Sequence, residues 1–177
     1  MDVVENGKRS KILLEDALIR EAMAVFKYMV FAKQAEKDGY QQIAAAFREI
    51  AMQEFEHGKL WFERLGLKNG NTEQNLIAAF TGENDETKRF YPDASMIAKE
   101  EGYSELAERF KEIGEVEGVH MGKFMKFFEL MKSGEFFLEN DDIKWRCRNC
   151  GYVTTPMLEA PEKCPACLHG REYFERA

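Results

Sequence analysis

Residues 50–57 read IAMQEFEH, inside a segment whose apolar residues otherwise recur at helical spacing. The seam runs Ile43, Phe47, Ile50, Glu54, His57, Trp61, and its steps of four and three keep all six on one helix face. A carboxylate and an imidazole thus interrupt a stripe that otherwise has the spacing of a core. One Glu-x-x-His alone is a weak signal, because most such pairs lie on solvated faces. Here it returns. A shift of 63 residues carries Gly39-Tyr40 onto Gly102-Tyr103, Phe47 onto Phe110, Ile50 onto Ile113, Glu54 onto Glu117 and His57 onto His120. Upstream the register slips: Glu21 stands 18 residues before Gly39, and Glu83 stands 19 before Gly102. The chain reads as two helical hairpins on one plan, with one residue gained or lost.

The helices follow from the same counting. The seam Leu14, Leu18, Glu21, Val25, Tyr28, Ala32 predicts a first helix from about Ile12 to Lys37, ended by Asp38-Gly39. Residues 1–10 read as a polar, frayed start. A second helix is expected from about Gln41 to Leu65, and GLKNGNT as a loop whose Asn71 or Thr72 caps the next helix. The third carries Leu76, Ala79, Glu83, Glu86, Phe90 and is interrupted at Pro92, which lacks an amide donor. The fourth carries Leu106, Phe110, Ile113, Glu117, His120, Phe124, Phe127, Met131 and ends at Ser133-Gly134. Thereafter EFFLENDDIKW reads as a linker. The expected division is a helical bundle over 1–134, a linker over 135–144 and a small module over 145–177.

Each of the four helices places a glutamate where its apolar stripe should continue. The set is Glu21, Glu54, Glu83, Glu86 and Glu117, with His57 and His120. Ionised carboxylates buried without partners cost several kcal/mol apiece, so the group needs positive charge among it. Two divalent cations supply it, and oxygen with imidazole donors suits iron or manganese. A Glu from each of two helices, with Glu-x-x-His from each of the others, is the di-iron arrangement of helical bundles. Tyr28 and Tyr91 follow on the seams, as hydrogen-bond donors to ligand carboxylates or as core. Gly114, Gly118 and Gly122 mark a face approached by another backbone.

The four cysteines fall in two C-x-x-C pairs, Cys147/Cys150 and Cys164/Cys167. With no export signal in MDVVENGKRSKILLED, that spacing points to four thiolates around one metal, zinc or iron. His169 reads as a surface residue. The chain has 177 residues, 45% hydrophobic and 32% charged, with a net charge of −7, which disfavours nucleic acid as partner. No apolar run reaches the roughly 18 residues of a membrane span, so a soluble cytoplasmic protein is expected.

From about residue 11 to 175 the chain resembles the rubrerythrins, through EFEH at 54–57, GENDE at 82–86 followed by FYP, and KWRCRNCGYV with APEKCPAC. The resemblance implies an all-α, ferritin-like four-helix bundle holding two irons, then a rubredoxin-like module with iron on Cys147, Cys150, Cys164 and Cys167. It implies Glu21, Glu54, His57, Glu83, Glu86, Glu117 and His120 as di-iron ligands, with His57 and Glu86 exchanging at one iron. The implied activity is peroxidase: hydrogen peroxide reduced to water with electrons from NAD(P)H through a separate reductase or rubredoxin. A ferroxidase, an oxygen-scavenging oxidase, and a non-enzymatic redox sensor or zinc-ribbon interaction protein are the alternatives. Departures surround the ligands: Arg20 precedes Glu21 where the family often has glycine, EAMAVFKY lacks the usual serine and arginine, and EGVHMGK lacks the second acidic residue common before that histidine.

In ferritin-like bundles the second and third helices run parallel, so their connection spans the bundle. At 1.5 Å per residue the gap is roughly 30 Å, whereas residues 66–72 reach at most about 25–28 Å fully stretched. A homodimer domain-swapped between helices two and three is therefore expected.

Overall fold

The computed structural model describes residues 7–67 and 70–177. It divides into two compact units, residues 1–69 and 70–177. The first is a helical hairpin of α1 (Arg9–Lys37) and α2 (Gln41–Arg64). The second contains α3 (Thr72–Asp85), a π-helical turn (Glu86–Phe90), α4 (Tyr91–Glu100) and α5 (Ser104–Ser133), followed by a small β module. Arg9 and Ser10 are helical, against the expectation of a frayed start, and residues 1–6 of that stretch lie outside the described residues.

The internal repeat is structural as well as sequential. At the end of α1, Gly39 at φ +85° donates to the Glu36 carbonyl (3.1 Å), and Tyr40 donates to that of Ala35 (2.8 Å). At the end of α4, Gly102 at φ +87° donates to Lys99 and Tyr103 to Ala98, at the same two distances. Both are Schellman closures, which need a residue that tolerates the left-handed region. Small residues at matched positions let the paired helices approach: Ala35 and Ala98, Ala44 and Ala107, and Ala51 and Gly114 are all buried. The aromatic filling repeats too. Tyr28 lies 6.0 Å from Phe47 between ring centroids, and Tyr91 lies 6.3 Å from Phe110.

The one-residue slip has a location. Tyr28 follows Glu21 by seven residues and Tyr91 follows Glu83 by eight, so the extra residue lies between Glu83 and Tyr91. The π-helical turn sits there, with Tyr91 N–H donating to the Glu86 carbonyl five residues back. A π-bulge accommodates one inserted residue without ending the helix. Pro92, expected to interrupt the helix, follows directly after that turn at the start of α4, with helical chain on both sides of it.

The C-terminal module begins earlier than the composition suggests. Leu138–Ile143, expected as linker, form β1, antiparallel to β3 (Met157–Glu159), with Ile143 opposite Met157. The polar run LENDDI hides this strand, because apolar residues occur only at its ends. Trp145–Cys147 form β2, antiparallel to β4 (Phe174–Arg176). Trp145, Cys147, Ala160, Cys164 and Phe174 make the module's core, and Phe137 and Met157 pack against it. Among the described residues no helix is long and apolar enough to cross a membrane.

α3 starts with a capping box: Asn71 Oδ1 accepts from the Gln74 amide (2.9 Å), and Gln74 Oε1 accepts from the Asn71 amide (3.0 Å). Asn71→Ala should lower stability by about 1 kcal/mol and Asn71→Ser by much less, measured by denaturant unfolding.

Candidate metal centres

Each hairpin assembles the same three donors. On the first, Glu21 of α1 meets Glu54 and His57 of α2, with one ligand atom from each within 4.8 Å of the others. On the second, Glu83 of α3 meets Glu117 and His120 of α5 within the same limit. The Glu-x-x-His spacing does the local work: His57 Nδ1 lies 2.8 Å from Glu54 Oε2, and His120 Nδ1 lies 2.6 Å from Glu117 Oε2. Gly58 permits the close pairing on the first hairpin, since a Cβ there would lie 3.4 Å from that of Glu21.

The glutamates are half-buried, with side chains of Glu54, Glu83 and Glu117 only 22%, 22% and 15% exposed. Burial, then the adjoining carboxyl of Glu117, raises the Glu83 carboxyl above its ordinary value, with His120 opposing. Glu83 Oε2 is buried without a hydrogen-bond partner among the described residues. Two carboxylates and an imidazole per triplet, with one oxygen of Glu83 left unserved on the second, form a donor set suited to a divalent cation. Tyr91 belongs to this neighbourhood. Burial first, then the charges of Glu86, Glu117 and Glu83, hold its phenol above the usual range.

Two of the expected residues fall outside the triplets, although the charge of Glu86 acts on both Glu83 and Tyr91. Glu86 is exposed and lies outside the triplets. Tyr28 packs its ring against Phe31 and Phe47. The buried small residues in 63-residue register and the π-helical turn are features the seam counting passed over. The repeated alanines and the one-residue slip are the signals for them.

The four cysteines converge without needing a disulfide. Cys147 Sγ lies 3.8 Å from Cys167 Sγ, and Cys150 Sγ lies 3.7 Å from Cys164 Sγ. Four sulfurs bound tetrahedrally at ~2.3 Å stand about 3.8 Å apart, so the cluster has the size of a metal cage. Negative charge favours Cys167, which the backbone amide of His169 and the side chain of Asn149 help draw down to about 5. The Tyr152 amide favours a thiolate at Cys150, yet the neighbouring thiols push it up to about 12. A bound cation would remove this competition by taking all four as thiolates. His169, expected at the surface, is half-buried, its ring 4.6 Å from that of Tyr173.

In metal-free protein a raised Glu83 carboxyl means that the unfolded chain ionises first as pH rises from the ordinary value of 4.5. Stability is then lost as pH climbs through the folded value. Glu83→Gln should therefore raise the Tm of metal-free protein at neutral pH, and the gain should vanish below pH 4.5. Thermal unfolding across that range reads it.

Sequence comparison with known proteins assigns a family to both parts of the chain. The Rubrerythrin family model matches residues 13–128, and that of the rubrerythrin rubredoxin-like domain matches residues 145–175. A rubrerythrin of Porphyromonas gingivalis is 40% identical, covering 97% of this chain and 91% of the relative. One from Nitratidesulfovibrio vulgaris is 40% identical over 96% and 94%. A solved structure of partially reduced nigerythrin, 27% identical, covers 99% of this chain and 92% of its own, with a TM-score of 0.37. The family's cofactors, a di-iron carboxylate–histidine centre and a four-cysteine rubredoxin-type iron, match the donor sets in the two parts of the chain. The chain belongs to the rubrerythrin family, with a ferritin-like helical part and a C-terminal rubredoxin-like module.

Proposed function

We propose that this protein is a cytoplasmic non-haem di-iron peroxidase that reduces hydrogen peroxide to two waters, consuming two electrons and two protons, in defence against oxidative stress. The observation that carries the reading is the pairing of two triplets, each of two half-buried glutamates and an exposed histidine, with a four-cysteine site in one chain. Glu21, Glu54, His57, Glu83, Glu117 and His120 would hold the two irons, with Glu86 joining as the seventh ligand. When bound, a ferrous pair supplies both electrons that cleavage of an O–O bond needs, and a four-sulfur iron can renew them singly.

The chain's own residues position and protonate. His57 and His120 are fixed by their hydrogen bonds to Glu54 and Glu117, which restricts how each imidazole can turn. Tyr91, with its phenol held protonated beside Glu83, Glu86 and Glu117, is a proton donor for the reduced oxygen atoms. Tyr28 is its counterpart on the first hairpin. The electron source in this reading is NAD(P)H, acting through a separate reductase or rubredoxin that docks near the exposed Cys150. In anaerobic stopped-flow mixing, ferrous protein should be oxidised far faster by peroxide than by dioxygen. Equal rates would reject the peroxidase reading.

The assembly proposed is a homodimer that exchanges its hairpins between α2 and α3, so that the Glu21/Glu54/His57 triplet of one copy faces the Glu83/Glu117/His120 triplet of the other. The short connection supports it, although Lys68 and Asn69 within that connection lie outside the described residues. So do the apolar residues that α1 leaves open, among them Ile19, Met23 and Phe26. Mixing decides the point. A chain with Glu54→Gln and His57→Ala should be inactive alone, as should one with Glu117→Gln and His120→Ala. Refolded together, they should regain one intact centre per mixed dimer if hairpins exchange. Without exchange, no activity returns.

A further inference from the structure

We propose that α1 carries a second docking face, the stripe Ile12, Ile19, Met23, Phe26 and Val30, and that it packs antiparallel against the same stripe of a second copy of this chain. The inference deepens the homodimer reading above by saying what covers the open apolar residues of α1, and it holds with or without hairpin exchange.

The stripe has the geometry of a helix seam. Its residues follow one another at steps of seven, four, three and four, the spacing of a helix face that meets another helix. At 3.6 residues per turn that face lies nearly opposite the inner seam of Leu14, Leu18, Glu21, Val25 and Tyr28. The inner seam is half-buried in the hairpin, whereas the five outer side chains are 47–66% exposed. A helix that is apolar on two opposite faces needs a cover on both. Glu21 lies with the inner seam, so the stripe is separate from the metal centre.

The internal repeat supplies a control. Positions correspond through a shift of 62 residues ahead of the π-helical turn, as Glu21 to Glu83, and of 63 beyond it, as Tyr28 to Tyr91. The counterparts of the stripe are then Gln74, Thr81, Asp85, Arg89 and Asp93, polar throughout. Arg89 donates twice to Asp85, at 2.7 Å each, in the i,i+4 pairing of a solvated helix face. One plan thus occurs twice, with a solvated outer face on the second hairpin and an apolar one on the first. A partner on α1 accounts for the difference.

The stripe itself selects that partner. Reversing one copy about position 21 sets Ile12 against Val30 and Ile19 against Met23, each contact made twice, as an isologous interface requires. Phe26 and Lys27 of one copy then arrive beside Asp16 of the other, which Arg20 Nε already holds at 2.7 Å. A parallel pairing would set Glu15 and Asp16 level with their own copies, and Lys27 and Lys33 likewise. Arg9 and Lys33 do meet in the antiparallel pair, but at its ends, where solvent and salt screen them. Five side chains fall short of the ~800 Å² per partner of a standard interface, so the α1 pair is one contact of the homodimer and not the whole of it.

Ile12→Cys together with Val30→Cys in one full-length chain, its native cysteines loaded with zinc, tests the register. Mild oxidation should link most chains into dimers on a non-reducing gel, while each single variant stays unlinked. An unlinked double variant overturns the proposal, and so does equal linking in the singles, which would set each residue against its own copy. Thermal unfolding reads the contact itself. Ile19→Glu should lower Tm by at least about 4 °C, whereas Thr81→Glu, at the matching position of the second hairpin, should leave it within about 1 °C. On a solvated face glutamate is a better helix former than isoleucine, so an unchanged or raised Tm for Ile19→Glu also overturns the proposal. Activity on mixing the two ligand variants tests hairpin exchange separately, and it can return while the cross-link fails, or the reverse.

Discussion

Like-charge repulsion within each hairpin is the constraint around which this chain is organised. Two glutamates approach one another on a half-buried face of each hairpin, and on the second, burial and then the neighbouring carboxyl of Glu117 raise Glu83 above its ordinary value. Water cannot fully relieve that repulsion, because small residues draw the paired helices close: Gly58 against Glu21 on the first hairpin, Gly114 against Tyr91 on the second. A hydrophobic replacement of the carboxylates would fold more easily. Their retention on both hairpins, each with a histidine three residues on, is chemistry kept at the expense of stability, and divalent cations are what reconcile the two.

The site was legible because its chemistry breaks a pattern. Glu54 and His57 stand in a seam that Ile50 and Trp61 otherwise continue, and the 63-residue repeat turns one weak motif into a matched pair. Helix-terminating glycines were equally readable, since Gly39 and, 63 residues on, Gly102 both adopt the left-handed conformation. The π-helical turn was present in the sequence only as a missing coincidence of one residue. Period counting alone does not say whether such an insertion makes a loop, a kink or a wider turn. Pro92, just past that turn, marked the neighbourhood of the irregularity without saying what form it takes.

What stayed hidden was set by contacts rather than period. Strand Leu138–Ile143 has four polar residues in its middle, and its place in a sheet comes from pairing with Met157–Glu159. The buried small residues do recur, Ala44, Ala51 and Gly58 every seven residues and Ala107 and Gly114 likewise, but a count of large apolar residues skips them. The cysteine module was the easiest part to read. Its two knuckles fix a four-sulfur cage, and Trp145 and Phe174 wrap it together with Phe137, Ile143 and Met157.

Diffraction at the iron absorption edge from anaerobically iron-loaded crystals tests the account most directly. The account predicts two anomalous peaks per centre among Glu21, Glu54, His57, Glu83, Glu117 and His120, and one more within the four cysteines. A map with signal at the cysteines alone, and the glutamates turned to bulk solvent, would contradict it.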